Sequence, residues 1–237
     1  MSEDSSVTQF DPTDMDFESA YQGKAEVNGV ALPTVPWDIG KPQPELVQFV
    51  EQGGVSGAVL DIGCGPGDTA IYLAGLGYRV VGLDAAPTAI EQARERAARQ
   101  GVNVEFVVAD ATDLAEYTGR FDTVVSSALY HCLNAEARRG YAAAIGRATK
   151  SGGRLFQTCF QKNEHSDIYA PFAIEEAELR EVFDADWSIE VLRPGLVSAR
   201  PLPLEAAGAF GDRGMVLQEG LDGLMRLPVW TLWAVRK

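Results

Sequence analysis

Three glycines at alternate positions and two carboxylates define the chemistry open to this chain. In Asp61-Ile62-Gly63-Cys64-Gly65-Pro66-Gly67, the apolar run Ala58-Val59-Leu60 leads into a turn that lacks a side chain at every second position. Backbone of that kind can pass within contact distance of a bound molecule. Seventeen residues past Gly67, the run Arg79-Val80-Val81-Gly82-Leu83 ends in Asp84, a carboxylate at the tip of a second strand, where it can accept hydrogen bonds from a ribose diol. A glycine turn and an acid at neighbouring strand tips are the parts of a nucleoside site. Asp61 narrows the choice of nucleoside. A dinucleotide turn has Gly-x-Gly-x-x-Gly and aims a helix N-terminus at a pyrophosphate, whereas this chain has Gly63-x-Gly65-x-Gly67 with an acid in front. A carboxylate there repels a pyrophosphate and attracts an ammonium or a sulfonium.

Further strand ends follow in order: Val107-Val108-Ala109-Asp110-Ala111-Thr112-Asp113, then Phe121-Asp122-Thr123-Val124-Val125-Ser126-Ser127, then Lys150-Ser151-Gly152-Gly153-Arg154-Leu155. With these motifs the chain resembles the class I S-adenosylmethionine-dependent methyltransferases from about Trp37 to the C-terminus, least well between Arg200 and Met225. The resemblance implies S-adenosylmethionine as cofactor and a role for each motif. Gly63, Gly65 and Gly67 let its methionine portion approach the backbone. Asp84, with Ala85 behind it, takes the ribose hydroxyls, Asp110 and Ala111 hold the adenine, Ser126 lies near the sulfonium, and Asp61 orients the ammonium. Trp37 is either a cover over the methionine end, its ring near a cation, or a hydrophobic staple for the N-terminal loop.

The segment from Pro36 to Pro44, with Gly65 to Tyr72 and Ala128-Leu129-Tyr130-His131, is similar to a group of actinobacterial small-molecule methyltransferases. That group is related to thiopurine and tellurite methyltransferases, and some of its members O-methylate hydroxylated quinolones. A small, flat, aromatic or heterocyclic acceptor and O-methylation are the implied expectation. Tyr130 and His131 directly follow the fourth strand and are expected nearest the methyl group. His131 is the candidate general base, unless the imidazole only hydrogen-bonds the cofactor or caps a helix. His165, in a loop with Tyr169 and Phe172, is the alternative base.

Two other classes use similar parts. A nicotinamide-dependent oxidoreductase requires the other glycine spacing. A non-catalytic sensor of the cofactor or its demethylated product keeps the glycines and Asp84 but has no enclosed acceptor pocket. Composition favours a small-molecule enzyme: 34 acidic against 20 basic side chains give a net charge of −14, and no basic cluster is present to track phosphates, so no nucleic-acid partner is expected. No apolar run reaches the length of a membrane span and the first residues are acidic, so no membrane association and a cytoplasmic location are expected. Cys64, Cys132 and Cys159 lack metal-ligand spacing, and their odd number argues against a disulfide framework. They read as small apolar fillers, or else as thiols along the cleft rim able to hold a soft metalloid.

These residues have to be positioned by strands alternating with helices. Helices are expected over Glu45 to Gln52, Asp68 to Leu76, Pro87 to Gln100, Ala135 to Thr149 and Ile174 to Phe183. Runs suited to buried strands cover Val104 to Ala109, Thr123 to Ser127 and Arg154 to Phe160. Ser188 to Ser198 and Val229 to Val235 add two strands without a full helix between them. The expected fold is α/β, a doubly wound, mostly parallel seven-stranded sheet closed by an antiparallel C-terminal hairpin. Residues 1–20, polar and acidic, are expected to be mobile, and 21–237 to form one domain. Within it, proline-rich 21–52 is a lid or substrate-side segment, and 200–227 an insertion near the acceptor pocket.

Overall fold

A computed structural model describes residues 16–27, 30–32, 34–164, 173–203, 205, 207 and 218–237. Seven strands make the main sheet: β1 Ala58–Ile62, β2 Arg79–Asp84, β3 Glu105–Val108, β4 Phe121–Ser127, β5 Thr149–Phe160, β6 Trp187–Ala199 and β7 Met225–Arg236. Their order is β3-β2-β1-β4-β5-β7-β6. The first five are parallel, and β7 inserts antiparallel between β5 and β6. The architecture is the expected one, with a single addition: the two-residue strand Gln218–Glu219 pairs with Met225 and Arg226 and extends the sheet to eight.

Five helices cover the two faces: α1 Pro44–Glu51, α2 Asp68–Gly75, α3 Pro87–Gln100, α4 Ala135–Ala148 and α5 Glu176–Phe183. Successive strand residues point to opposite faces, so Val59 joins Phe49, Ile71, Ile90 and Phe106 under α1 to α3, while Leu60 joins Tyr141, Leu179 and Phe183 under α4 and α5. Burial on both faces explains why the strands read as continuous apolar runs. Helix boundaries follow local chemistry. Pro87 opens α3 and Gly101 ends it at φ 67°, and the Asn134 side chain caps α4 by accepting from the Ala137 amide at 2.9 Å. Among the described residues no helix is long and apolar enough to cross a membrane.

The N-terminal boundary differs from expectation. Residues 1–15 lie outside the described residues, but 16–20 belong to the folded domain: Asp16 caps a turn at Phe17–Ser19 that continues through Ala20–Lys24, and Ala20 is buried. The reason is long-range. The Glu18 carboxylate accepts from the Thr88 amide (3.0 Å) and hydroxyl at the start of α3, whose own N-cap Ala86 has no side-chain acceptor, and Gln92 Nε2 donates to the Tyr21 carbonyl at 2.9 Å. An anion at a helix N-terminus is electrostatically favoured. Beyond it comes an unforeseen ribbon of Glu26–Val27 with Val30–Ala31.

Residues 34–43 form neither helix nor strand, in keeping with their prolines, and ionic contacts hold them. Asp38 pairs with both Arg96 terminal nitrogens (2.6 and 2.7 Å), and Arg96 also reaches Asp68 at 3.1 Å. The Arg200 amide donates to Pro36 O at 2.7 Å, and its guanidinium to Asp38 O. The Gln43 side chain both accepts from the Ser198 amide (2.7 Å) and donates to its carbonyl (2.9 Å), while Glu45 accepts from the Leu196 amide at 3.4 Å, along the free edge of β6. Within 200–227, Asp222 pairs with Lys41 at 3.1 Å and with Arg226 at 2.8 Å. This ties Asp222 to the proline-rich segment, while residues 204, 206 and 208–217 of the expected insertion lie outside the described residues.

Candidate functional site

The strand tips of β1, β2 and β4 meet at the glycine turn, and its three glycines do different work. Gly63 and Cys64 both donate to Leu83 O (2.8 and 2.9 Å), pinning the turn to the end of β2. Gly63, Gly65 and Gly67 have φ of 71°, 51° and 88°, the left-handed region that glycine alone enters freely. A Cβ on Gly63 would stand 2.9 Å from the Leu129 side chain, and one on Gly65 would stand 2.9 Å from the Tyr21 hydroxyl. These two glycines are covered by the side chains of Leu129 and Tyr21. A Cβ on Gly67 would instead meet Ala93 and Phe106 at 3.0 Å. Gly67 lets α2 start against α3, a packing role rather than the ligand contact expected of it.

Both carboxylates are placed for a ligand with donor groups. Asp84 Oδ2 accepts from the Gly65 amide (2.8 Å) and Oδ1 from the Ala86 amide (2.9 Å). The Ala85 amide also favours the ionised form, yet burial outweighs the three and raises the pKa. Each oxygen keeps acceptor capacity for a diol. Asp84→Ala is expected to weaken cofactor binding about 10- to 150-fold, the range for hydrogen bonds to a charged group, in titration calorimetry; unchanged affinity would remove Asp84 from the site. Asp61 is 1% exposed and its Oδ2 has no hydrogen-bond partner. Burial, opposed by the Ala70 amide and reinforced by Asp84 and Asp68, pushes its pKa up to about 8. A buried carboxylate oxygen without a partner calls for a cation.

Asp110 stands exposed beyond β3, where Oδ1 accepts from the Thr112 amide and hydroxyl, both at 2.8 Å. Ala111 packs against the core from the same turn, and the Ala109 amide donates to Asp84 O at 3.0 Å. The acid expected at the adenine and the acid expected at the ribose are thus one backbone hydrogen bond apart. Ser126 is fully buried in register with Gln157, whose side chain accepts from the Tyr141 hydroxyl at 3.0 Å. Past it, Ala128 adopts φ 65°, which costs a non-glycine residue about 1 kcal/mol. That conformation turns the chain so that Leu129 covers Gly63.

The same turn moves the two expected catalytic residues away from the role assigned to them. Tyr130 is fully buried between Tyr141 and Phe183, with its hydroxyl toward Glu178 at 3.4 Å. Burial raises its pKa, and it is a core residue. His131 Nδ1 accepts from the Phe160 amide at 3.1 Å while the ring stacks on Phe160 at 4.0 Å. Burial, helped by Arg138, lowers its pKa to about 3. A neutral imidazole whose Nδ1 lone pair is engaged carries its proton on Nε2 and offers no free lone pair to a substrate. His165, Tyr169 and Phe172 lie outside the described residues.

Trp37 connects to the glycine turn through a residue that sequence reading passed over. Its Nε1 donates to the Tyr21 hydroxyl at 2.9 Å, and its ring meets Phe17 and Tyr21 edge-on, with centroids 5.9 and 6.2 Å apart. The staple is therefore present, and Tyr21 extends it over Gly65. An aromatic residue in a polar, non-periodic stretch was the available signal. The cysteines are free: Cys64 and Cys159 are buried and Cys132 half-buried. Burial raises the pKa of all three, Cys132 to about 12. Among the described residues no group of three or more His, Cys, Asp or Glu side chains comes together to hold a metal.

Known proteins share this arrangement. A family model described as a methyltransferase domain matches residues 59–153. The chain is 41% identical over 222 residues to 2-heptyl-1-hydroxyquinolin-4(1H)-one methyltransferase of Mycobacteroides abscessus, covering 93% of this chain and 96% of that protein. A structure solved for the conversion of a disulfide bond into a thioacetal group during echinomycin biosynthesis superposes with a TM-score of 0.75 at 31% identity, covering 93% of this chain and 91% of the other. Magnesium protoporphyrin IX methyltransferase of Synechocystis with bound S-adenosylmethionine shares the fold, with a TM-score of 0.57 at 23% identity over 81% of this chain and 76% of the other.

Proposed function

The chain belongs to the class I S-adenosylmethionine-dependent methyltransferases, and on that premise we propose that it O-methylates a small, flat heteroaromatic acceptor that ionises unaided. When bound, the cofactor supplies an electrophilic methyl carbon on a sulfonium. The residues fit it: Gly63 and Gly65 carry no side chain to bar its methionine portion from the backbone, Asp61 supplies a buried carboxyl for its ammonium, and Asp84 supplies acceptors for its ribose. What remains for the protein is alignment of an acceptor with that carbon, worth several kcal/mol through effective molarity. Tyr21 and Leu129 lie against the glycine turn, and Trp37 packs on Tyr21.

The observation carrying the acceptor class is the state of the groups after β4. The His131 imidazole has its pKa near 3 and its Nδ1 engaged, Tyr130 is in the core, and Cys132 holds its proton to about pH 12. None of these three takes a proton near neutral pH, and His165 lies outside the described residues, so the groups after β4 suit an acceptor that ionises unaided, as an acidic N-hydroxy group or an acidic phenol does. The 41% identity to the quinolone methyltransferase over nearly its whole length supports the same class. The charge of −14 supports a small acceptor over nucleic acid, and a cytoplasmic location.

The test is mass spectrometry of methylated product and S-adenosylhomocysteine from N-hydroxyquinolones, phenols, their deoxy analogues and aryl thiols. O-methyl product from the acidic hydroxyl compounds is expected, and its absence across them would overturn the reading. His131→Asn, which retains an acceptor for the Phe160 amide, is expected to keep kcat within about threefold with an unchanged pH profile, whereas loss of a general base costs about 10²- to 10⁴-fold. A sulfur acceptor is the second reading, favoured by the 31% identity to the protein solved for thioacetal formation. S-methyl product from the aryl thiols alone would select it.

A further inference from the structure

A hydrogen-bond donor that no step above uses lies against Gly65. Tyr21 Oη faces Gly65, 2.9 Å from the position a Cβ would take there, and accepts from Trp37 Nε1 at 2.9 Å. Among the described residues no acceptor stands within hydrogen-bonding distance of its own proton. A phenol whose oxygen already accepts one strong hydrogen bond is a better donor through the other side, and burial beside Asp84 keeps that proton in place over the whole working pH range.

The surrounding charge indicates what this donor is for. Asp61 and Asp84 stand at the same turn, and burial raises the pKa of each. Asp68, the next acid along, is already paired with Arg96. The methionine portion of the cofactor carries a carboxylate as well as an ammonium. The ammonium suits Asp61, whereas the carboxylate stands beside a second carboxyl group, Asp84, and requires donors that bring no negative charge of their own. A neutral phenol meets that need, and its position over the glycine turn is where the methionine portion passes.

We propose that Tyr21, oriented by the Trp37 indole N–H, is a cofactor-binding residue that donates its phenolic hydrogen bond to the methionine carboxylate of S-adenosylmethionine. The proposal rests on the cofactor assignment above. It makes the turn at Ala20–Lys24 part of the binding site, anchored to α3 by Glu18 and Gln92.

Calorimetric titration of Tyr21→Phe with S-adenosylmethionine, S-adenosylhomocysteine and decarboxylated S-adenosylmethionine separates the possibilities. The decarboxylated compound keeps the sulfonium and the ammonium and lacks only the carboxylate. Tyr21→Phe is expected to raise Kd for the two carboxylated ligands about 10- to 100-fold, as for a lost hydrogen bond to a charged group, and to leave the decarboxylated one within about twofold. Unchanged binding of the decarboxylated ligand also reports that the variant is folded. Trp37→Phe, which keeps a ring and removes the N–H, is expected to show the same selectivity with a smaller loss and to add nothing to Tyr21→Phe. Equal losses for all three ligands would reduce Tyr21 to a shape-filling wall, and no loss would remove it from the site; either result overturns the proposal. Additive losses in the double variant would overturn the role given to Trp37. Failure of the wild-type chain to bind S-adenosylhomocysteine would instead strike at the cofactor assignment.

Discussion

Asp61→Asn is expected to remove measurable binding of S-adenosylhomocysteine while raising the thermal stability of the ligand-free protein at neutral and alkaline pH. Asp61 is 1% exposed with one oxygen unpartnered, so the folded chain holds its proton up to about pH 8, against an ordinary value of 3.8. The native state thus binds more protons than the unfolded chain between those limits. Stability contributed at this site is fully present below about pH 4 and is lost as pH rises through 8. Asparagine is nearly isosteric and never ionises, so it removes that loss. It also removes the counter-charge for the ammonium. In the wild type, ligand binding below pH 8 should release a proton, and affinity should rise about tenfold per unit from pH 6 toward 8 and then level off. Calorimetry in buffers of different ionisation enthalpy measures the proton, and melting curves from pH 5 to 9 measure the stability. Wild-type affinity in the variant, or an unchanged dependence of its melting temperature on pH, would contradict the assignment.

Gly65→Val is expected to weaken cofactor binding more than about 100-fold, the equivalent of roughly 3 kcal/mol. Two effects combine. A β-branched residue at φ 51° is a backbone outlier, and the first carbon of the new side chain falls 2.9 Å from the Tyr21 hydroxyl, filling the space that lets a ligand approach the turn. Gly67→Val should behave differently, because its clash is with Ala93 and Phe106 in the core. The first variant should lose binding while retaining its circular dichroism and most of its melting temperature, and the second should lose stability. If both simply unfold, or if Gly65→Val binds normally, the turn has only a structural role.

The strand tips were legible because each strand is buried on both faces and so appears as an apolar run ending in a glycine or an acid. Asp61, Asp84 and Asp110 sit where those runs stop, and the sheet order follows from them. The roles of Gly63, Gly65 and Gly67 were not separable by spacing, since what distinguishes them is the partner across the gap: Leu129, Tyr21 or Phe106. Tyr130 and His131 were placed at the right loop but on the wrong side of it. Their direction depends on Ala128 in a left-handed conformation, and alanine gives no sign of that. Tyr21 was missed because its position depends on Glu18 with Thr88 and on Gln92, contacts some seventy residues apart that no local pattern records.

The side chains of Gln43 and Glu45 engage the backbone of β6 at Leu196 and Ser198 much as a neighbouring strand would. An outermost strand of thirteen residues is otherwise a template on which another polypeptide can lengthen the sheet. With its groups at Leu196 and Ser198 already engaged, that stretch is closed to growth of fibrils or to strand exchange between molecules. Gln43 thereby takes up the place on Ser198 that a strand from another molecule would need.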